Sequence, residues 1–413
     1  MADKFDESIV DDVNDLVDLD EDESLEEEEE LDPDEFFQKR AFRVVYQTNN
    51  FLLPQLRNLI EERDIVNIRP EYQRRLRWSN PQKSKLIESL LLNIPVPPIF
   101  FYEAEEARYE VMDGQQRINA IKEYLSGDFA LSTLTVLKPL NRLTYGKLPP
   151  RVKRALDRAS LSAIVLLAES EKEKSADDGT KSVDIRRFIF DRLNTGGRKL
   201  NAQELRNAIY PGKFCKAIVK MARRREFTDL FGIPAYTEAE PNDYYENPKR
   251  QRNILFSTMG DCALVLRFFA LRNEANIRGS MKSMLDRAME SRMAATDADV
   301  VTLNQEFEER FDITVSIFGP DPFRMLPDEK GRRRLSAGLY DSAMVAVDRY
   351  WQHRDAFVQN KVAIKKLLEL ELAIEEKIPI LTGKISTSQG VKDRISIMEN
   401  LLLTASGLVR DAG

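Results

Sequence analysis

Asp113-Gly114-Gln115-Gln116-Arg117 gathers a carboxylate, two amides, a guanidinium and a glycine into five consecutive residues. Those types suit the handling of a phosphate. RYEVM (108–112) before them reads as a strand and INAIKEYL (118–125) after them as a helix, so the five stand at a strand-to-helix turn. A helix starting there leaves first-turn N–H groups without acceptors, with the positive end of the helix dipole behind them. Gly114 lets a phosphate approach the backbone without meeting a side chain, and Arg117, one turn in, can close on the same anion with several donors. Gln115 and Gln116 can donate to phosphate oxygens or orient a water. Asp113 can hold a magnesium-bound water or help to position the attacking one. A plainer alternative stays open: Asp-Gly simply turns the chain, and Arg117 pairs with a nearby acid such as Glu123.

Two further clusters could touch a nucleotide or nucleic acid. Tyr72-Gln73-Arg74-Arg75 with Arg77-Trp78 interleaves aromatic rings and guanidinium groups, a composition suited to bases and phosphates. The alternative is an extended segment with Tyr72 and Trp78 packed inward and the arginines in solvent. Asn194-Thr195-Gly196-Gly197-Arg198-Lys199 has the small residues of a phosphate-binding backbone nest, followed by two cations. It reads equally as a helix end followed by a loop.

Several elements must position these groups. FLLPQLRNLIEERDI (51–65) has helical apolar spacing, and Ser79-Asn80-Pro81 opens a second helix, PQKSKLIESLLLN, with a cap and an early proline. Strands are expected at Pro98–Tyr102 and RYEVM, joined as a hairpin. Two more are expected at LSTLTVL (131–137) and SLSAIVLLAE (160–169), on either side of a helix beginning near Leu148-Pro149-Pro150. Gly127 closes the helix that follows the turn. VDIRRFIFDRLNTGG and KLNAQELRNAIY read as helices, and from about Gln251 onward the apolar spacing is helical almost throughout.

The chain of 413 residues fits about two domains. Two cysteines, Cys215 and Cys262, cannot build a disulfide framework. The single histidine, His353, excludes histidine-rich zinc sites and a two-histidine nuclease site within this chain. With no apolar run of about 18 residues and no apolar N-terminal segment, a cytoplasmic protein without membrane contact is expected. The net charge of −7 hides a division. Residues 1–37 hold 19 Asp and Glu against Lys4, while 38–413 hold 61 basic and 50 acidic residues, a body of +11 with a tail of −18. The tail reads as a disordered solubilising segment or as a tethered competitor of a polyanion for the basic body. Arginine runs at 74–77, 222–225 and 332–334 add to an expectation of phosphate-directed, salt-sensitive DNA contact.

PEYQRRLRW (70–78), KSKLIESLLLNIPVPPIFF (83–101), VMDGQQR (111–117) and FDRLNTGGRKLNAQELRNAIY (190–210) together resemble the GmrSD-type restriction-associated N-terminal domain. LVLRFFAL and the FGPDPFR to RRRLSAGLYDSAM region also resemble a C-terminal half found with it. The resemblance implies an α+β chain. The resemblance gives a ParB-like nucleotide-binding domain over 41–212 and a mostly helical domain over 213–413, with the acidic tail over 1–40 lying outside it. It further implies nucleoside triphosphate binding and hydrolysis, with magnesium as cofactor, in bacterial defence against phage DNA. Asp113, Gln116 and Arg117 would then be catalytic, with Asp113 also the magnesium ligand. Gly114 and Gln115 would complete the nucleotide site, lined by Tyr72, Gln73 and Arg74 and bordered by Asn194 and Gly197. Many members carry an HNH nuclease domain. With one histidine, this chain is expected to leave any cutting to a separate nuclease subunit or to a nucleotide site adapted to the task. A non-catalytic, nucleotide-gated DNA-binding module is the competing reading, and the long apolar helical stripes fit a homodimer as well as an intrachain bundle.

Overall fold

The computed structural model describes residues 45–61, 65–67, 78–105, 108–167, 189, 192, 201–210, 212–236, 247–329, 331–385 and 387–408. The chain forms two compact units, divided between Leu200 and Asn201. The first is mixed α and β; the second is helical.

The first unit is a five-stranded sheet with helices. Its elements are β1 (Tyr46–Leu52), α1 (Leu53–Glu61), β2 (Val66–Asn67), α2 (Asn80–Leu91), β3 (Ile99–Glu105), β4 (Arg108–Asp113), α3 (Gln115–Ser126), α4 (Pro150–Arg158) and β5 (Ser160–Leu166). Strand order is β1-β5-β3-β4-β2. The hairpin β3–β4 and the pair β1–β5 are antiparallel, while β5 lies parallel to β3 and β2 parallel to β4. Leu161, Ala163 and Val165 alternate into the core from β5 and meet Ile99 and Phe101 of β3. Leu53, Leu56, Ile87, Ile118, Ile121 and Leu156 bring the helices onto the same cluster. Each such side chain contributes roughly 1.5–3 kcal/mol by leaving water.

The helix starts follow the sequence closely. Ser79 and Gln82 close a capping box on α2, and Gly127 takes a left-handed φ of 85° at the end of α3. β1 was not legible, because YQTNNFL is polar and largely exposed at the sheet edge, where Asn50 and Ser162 pair across strands at 2.6 Å.

The strand expected at 131–137 is absent, and the segment forms a loop. Side chains, not a neighbouring strand, take its amides. Ser84 Oγ accepts from Ser132 N at 2.9 Å and Asn141 Oδ1 from Leu134 N at 3.0 Å. The Glu88 carboxylate accepts from Val136 N at 2.9 Å and Leu137 N at 2.7 Å. Alternating apolar residues therefore encode a wrapped loop here, since two of the polar partners that decide the matter, Ser84 and Glu88, lie 48 or 49 residues away in sequence.

The second unit contains α5 (Ala202–Ile209), α6 (Lys213–Ala222), α7 (Gly260–Leu271), α8 (Met281–Glu290), α9 (Asp297–Phe318), α10 (Ala337–Arg349), α11 (Lys361–Leu372) and α12 (Ser388–Ala405), with shorter helices between them. Buried ion pairs tie it together. Asp341 on α10 receives both Arg267, at 2.8 and 2.5 Å, and Arg394, at 3.3 Å. Arg206 on α5 donates to Asp286 on α8 at 2.9 Å, both nearly solvent-free. Gly338 lets α10 press against the segment around Leu381, whose carbonyl oxygen would lie only 2.5 Å from an added Cβ. No helix among the described residues is long and apolar enough to cross a membrane.

Candidate phosphate site at the β4–α3 turn

β4 ends at Asp113, Gly114 caps α3 with φ 95°, and the helix begins at Gln115. Two constraints fix glycine at position 114. The left-handed backbone disfavours any side chain, and an added Cβ would lie 2.4 Å from Ile99 Cγ2 and 3.0 Å from Arg117 Nη2. The turn is thus pressed onto the start of β3.

Arg117 lies one helical turn beyond Asp113 and donates from Nη2 to Asp113 Oδ2 at 2.6 Å and to the Pro98 carbonyl at 3.2 Å. The pair is asymmetric in exposure, with the arginine side chain 15% and the aspartate 38% accessible. Arg117 Nε is buried without a hydrogen-bond partner. A buried guanidinium N–H without a partner beside a helix N-terminus is chemically suited to an oxyanion acceptor.

Gln116 Oε1 accepts from the backbone N–H of Trp78 at 3.1 Å. The glutamine therefore anchors the segment that enters α2, directly after the aromatic-arginine stretch. Gln115 is buried. Glu123, offered by the sequence as a partner for Arg117, instead takes Lys83 at 2.5 Å, and Lys83 also lies over the Phe129 ring. The acid that pairs with Arg117 is Asp113 itself.

The structure brings together Asp113, Gly114, Gln116 and Arg117. Tyr72, Gln73, Arg74, Asn194 and Gly197 lie outside the described residues. Pro98 and Ile99 were missed by sequence reasoning, although the PVPP run before β3 signals a rigid strand entry. Glu88 was missed too. Burial works to raise its pKa, but hydrogen bonds from Leu137, Val136 and Thr135 outweigh it and hold the carboxyl below the usual glutamate value. It is a loop anchor on the helix that precedes the site strand. Among the described residues no group of three or more His, Cys, Asp or Glu side chains is arranged to hold a metal ion.

Residues 56–211 match the family described as GmrSD restriction endonuclease, N-terminal domain. The match takes in the β4–α3 turn, the aromatic-arginine stretch and α5. No curated protein and no solved structure gives a significant match to the chain.

Proposed function

We propose, on the match of residues 56–211 to the GmrSD restriction endonuclease N-terminal domain, that the β4–α3 turn binds and hydrolyses a nucleoside triphosphate, in the service of DNA recognition during restriction-type defence against phage. The observation that supports this best is the Asp113–Arg117 pair set against Gly114 at the start of α3. In this reading the first unit is ParB-like. The pair is a resting latch: without a polyanion each group neutralises the other, and a triphosphate takes the guanidinium and releases the carboxylate.

Each residue then has a role. Arg117 carries charge that develops on the transferring phosphoryl group. The first-turn amides of α3 receive phosphate oxygens, and Gly114 admits them. Asp113, more than a third exposed, fits a magnesium site of the kind that uses one or two carboxylates with phosphate and water. Magnesium, when bound, supplies charge neutralisation at the phosphate oxygens. Gln116 holds the water or the entering chain in place, with Tyr72, Gln73 and Arg74 lining the nucleotide and Asn194 and Gly197 bordering it. Cleavage of DNA falls to a separate nuclease subunit.

A second reading draws on Gln116, whose oxygen is engaged by Trp78 N. If that bond persists with nucleotide bound, the ligand acts as a clamp that joins the turn to the 70–78 stretch, with little turnover. Phosphate release from each of the four ribonucleoside triphosphates with magnesium, with and without modified phage DNA, separates the readings. Turnover abolished in Arg117→Ala supports the enzyme, and stimulation by DNA ties it to defence. Nucleotide binding without turnover supports the clamp. Neither binding nor turnover removes the nucleotide site altogether.

A further inference from the structure

Of the arginine runs that stand out in the sequence, two are partly engaged by neighbouring acids, through Arg224, Arg225 and Arg332. Arg224 is held by Asp312 at 2.8 and 2.6 Å and by Glu226, and Arg225 pairs with Asp229 at 3.5 Å. Arg332 pairs with Asp328 at 2.9 Å. The third, 74–77, lies outside the described residues. An un-neutralised cationic surface occurs elsewhere, where no run of consecutive arginines marks it. Residues 138–158 hold seven Lys and Arg against one acid, Asp157, and Asp157 is taken by the Tyr145 hydroxyl at 2.6 Å.

The geometry of α4 separates its faces. Leu156 is fully buried, with Val152 and Ala159 packed beside it on the core. Arg151, Arg154 and Arg158 recur at three- and four-residue spacing on the opposite side, all exposed. That stripe runs about 10 Å along the helix. Lys138, Arg142 and Lys147, also exposed, extend the charge into the preceding loop. None of these six has an acid partner among the described residues. Arg142 holds a left-handed φ of 68°, where asparagine or glycine would sit at lower cost, so the backbone does not explain the arginine. Charge on this scale without compensation disfavours the isolated fold and favours an anionic partner.

The partner's form follows from what the surface lacks. Single strands are gripped by aromatic platforms as well as charge. The single aromatic residue in 138–158, Tyr145, packs edge-on against Tyr124 with centroids 6.2 Å apart, and Lys153 covers its ring at 4.4 Å. No ring is offered for a base to stack on. We infer that the outer stripe of α4, with Lys138, Arg142 and Lys147, is the surface that takes the phosphate backbone of duplex DNA, an assignment that rests on the DNA-recognition reading above.

The test is binding of a short unmodified duplex by the full chain, titrated between about 50 and 200 mM salt. Arg151→Gln/Arg154→Gln/Arg158→Gln is compared with wild type and with the triple Arg→Lys variant. The neutral variant is expected to lose about 0.9 of salt slope for each phosphate contact removed, close to three units in all, while the lysine variant keeps the wild-type slope. Thermal melts and DNA-independent phosphate release serve as controls for folding, and both should match wild type. Wild-type binding with an unchanged slope in the neutral variant overturns the assignment but leaves the DNA reading standing. Tighter binding of a single strand of the same sequence overturns the duplex form. Absence of any wild-type binding overturns the DNA reading and this surface together.

Discussion

Arg117 Nη2 bridges Asp113 Oδ2, at 2.6 Å, and the Pro98 carbonyl, at 3.2 Å. One guanidinium thereby links the end of β4 to the entry of β3, across the glycine where a phosphate would approach. Its carboxylate partner is the side chain expected to meet magnesium, so the two proposed catalytic groups are stored as a pair.

Separate variants should resolve that pair from its neighbour. Arg117→Ala is expected to lower kcat by at least about 100-fold, the usual cost of removing a charged group aimed at a developing oxyanion. Gln116→Ala should bind nucleotide with near wild-type affinity yet lose turnover. Steady-state phosphate release and nucleotide titration, made on the same preparations, check both.

Two glycines bound α3 in left-handed conformations, and alanine should affect them unequally. At Gly127 an added Cβ meets nothing within 4 Å, so only backbone strain of about 1–2 kcal/mol is expected. At Gly114 the Cβ would strike Ile99 Cγ2 at 2.4 Å, adding roughly 1–3 kcal/mol of overpacking. Denaturant unfolding of the two variants should show Gly114→Ala as the less stable by that margin. Equal losses would show that the Ile99 contact yields freely.

Glu88 gives a pH signature. Its carboxyl titrates below the ordinary value of 4.5 in the folded protein, so its contribution is fully present above that value and fades as pH falls through the lowered one. Glu88→Gln should therefore be less stable than wild type at neutral pH by about 1.5–3 kcal/mol, the worth of a hydrogen bond to a charged group. The gap should stay flat down to mildly acid conditions and narrow below pH 4.5. Urea melts at a series of pH values would show it.

Deletion of residues 1–37 removes a net charge of −18. If the tail competes with DNA for the basic body, the shortened chain should bind duplex more tightly and with a steeper salt dependence. Identical isotherms would leave the tail a solubilising segment.

Sequence reading succeeded where one local signal decided the outcome. Ser79-Asn80-Pro81 started α2, Gly127 stopped α3, and Asp113-Gly114 turned the chain between strand and helix, because caps and left-handed positions are properties of a few consecutive residues. It failed where distant partners decided. Nothing within LSTLTVL says that Ser84, Glu88 and Asn141 will take its amides. At the site, residue types revealed the turn but not that Asp113 would hold Arg117, although its four-residue separation favoured it over Glu123, six residues on. The cationic face at 138–158 escaped notice because its charges are interspersed with leucine and proline and become contiguous only once α4 buries Val152 and Leu156.

α5 carries a practical consequence for dissecting the molecule. Although it falls inside the family match, it folds with the helical unit. Asn201 Nδ2 donates to the Thr258 carbonyl, and Arg206 is buried against Asp286. A fragment ending at residue 211 would strand that arginine without its acid and strip the remainder of a core helix. Scissors placed by homology would thus damage both halves, whereas a cut near Leu200 respects the boundary between the two compact units.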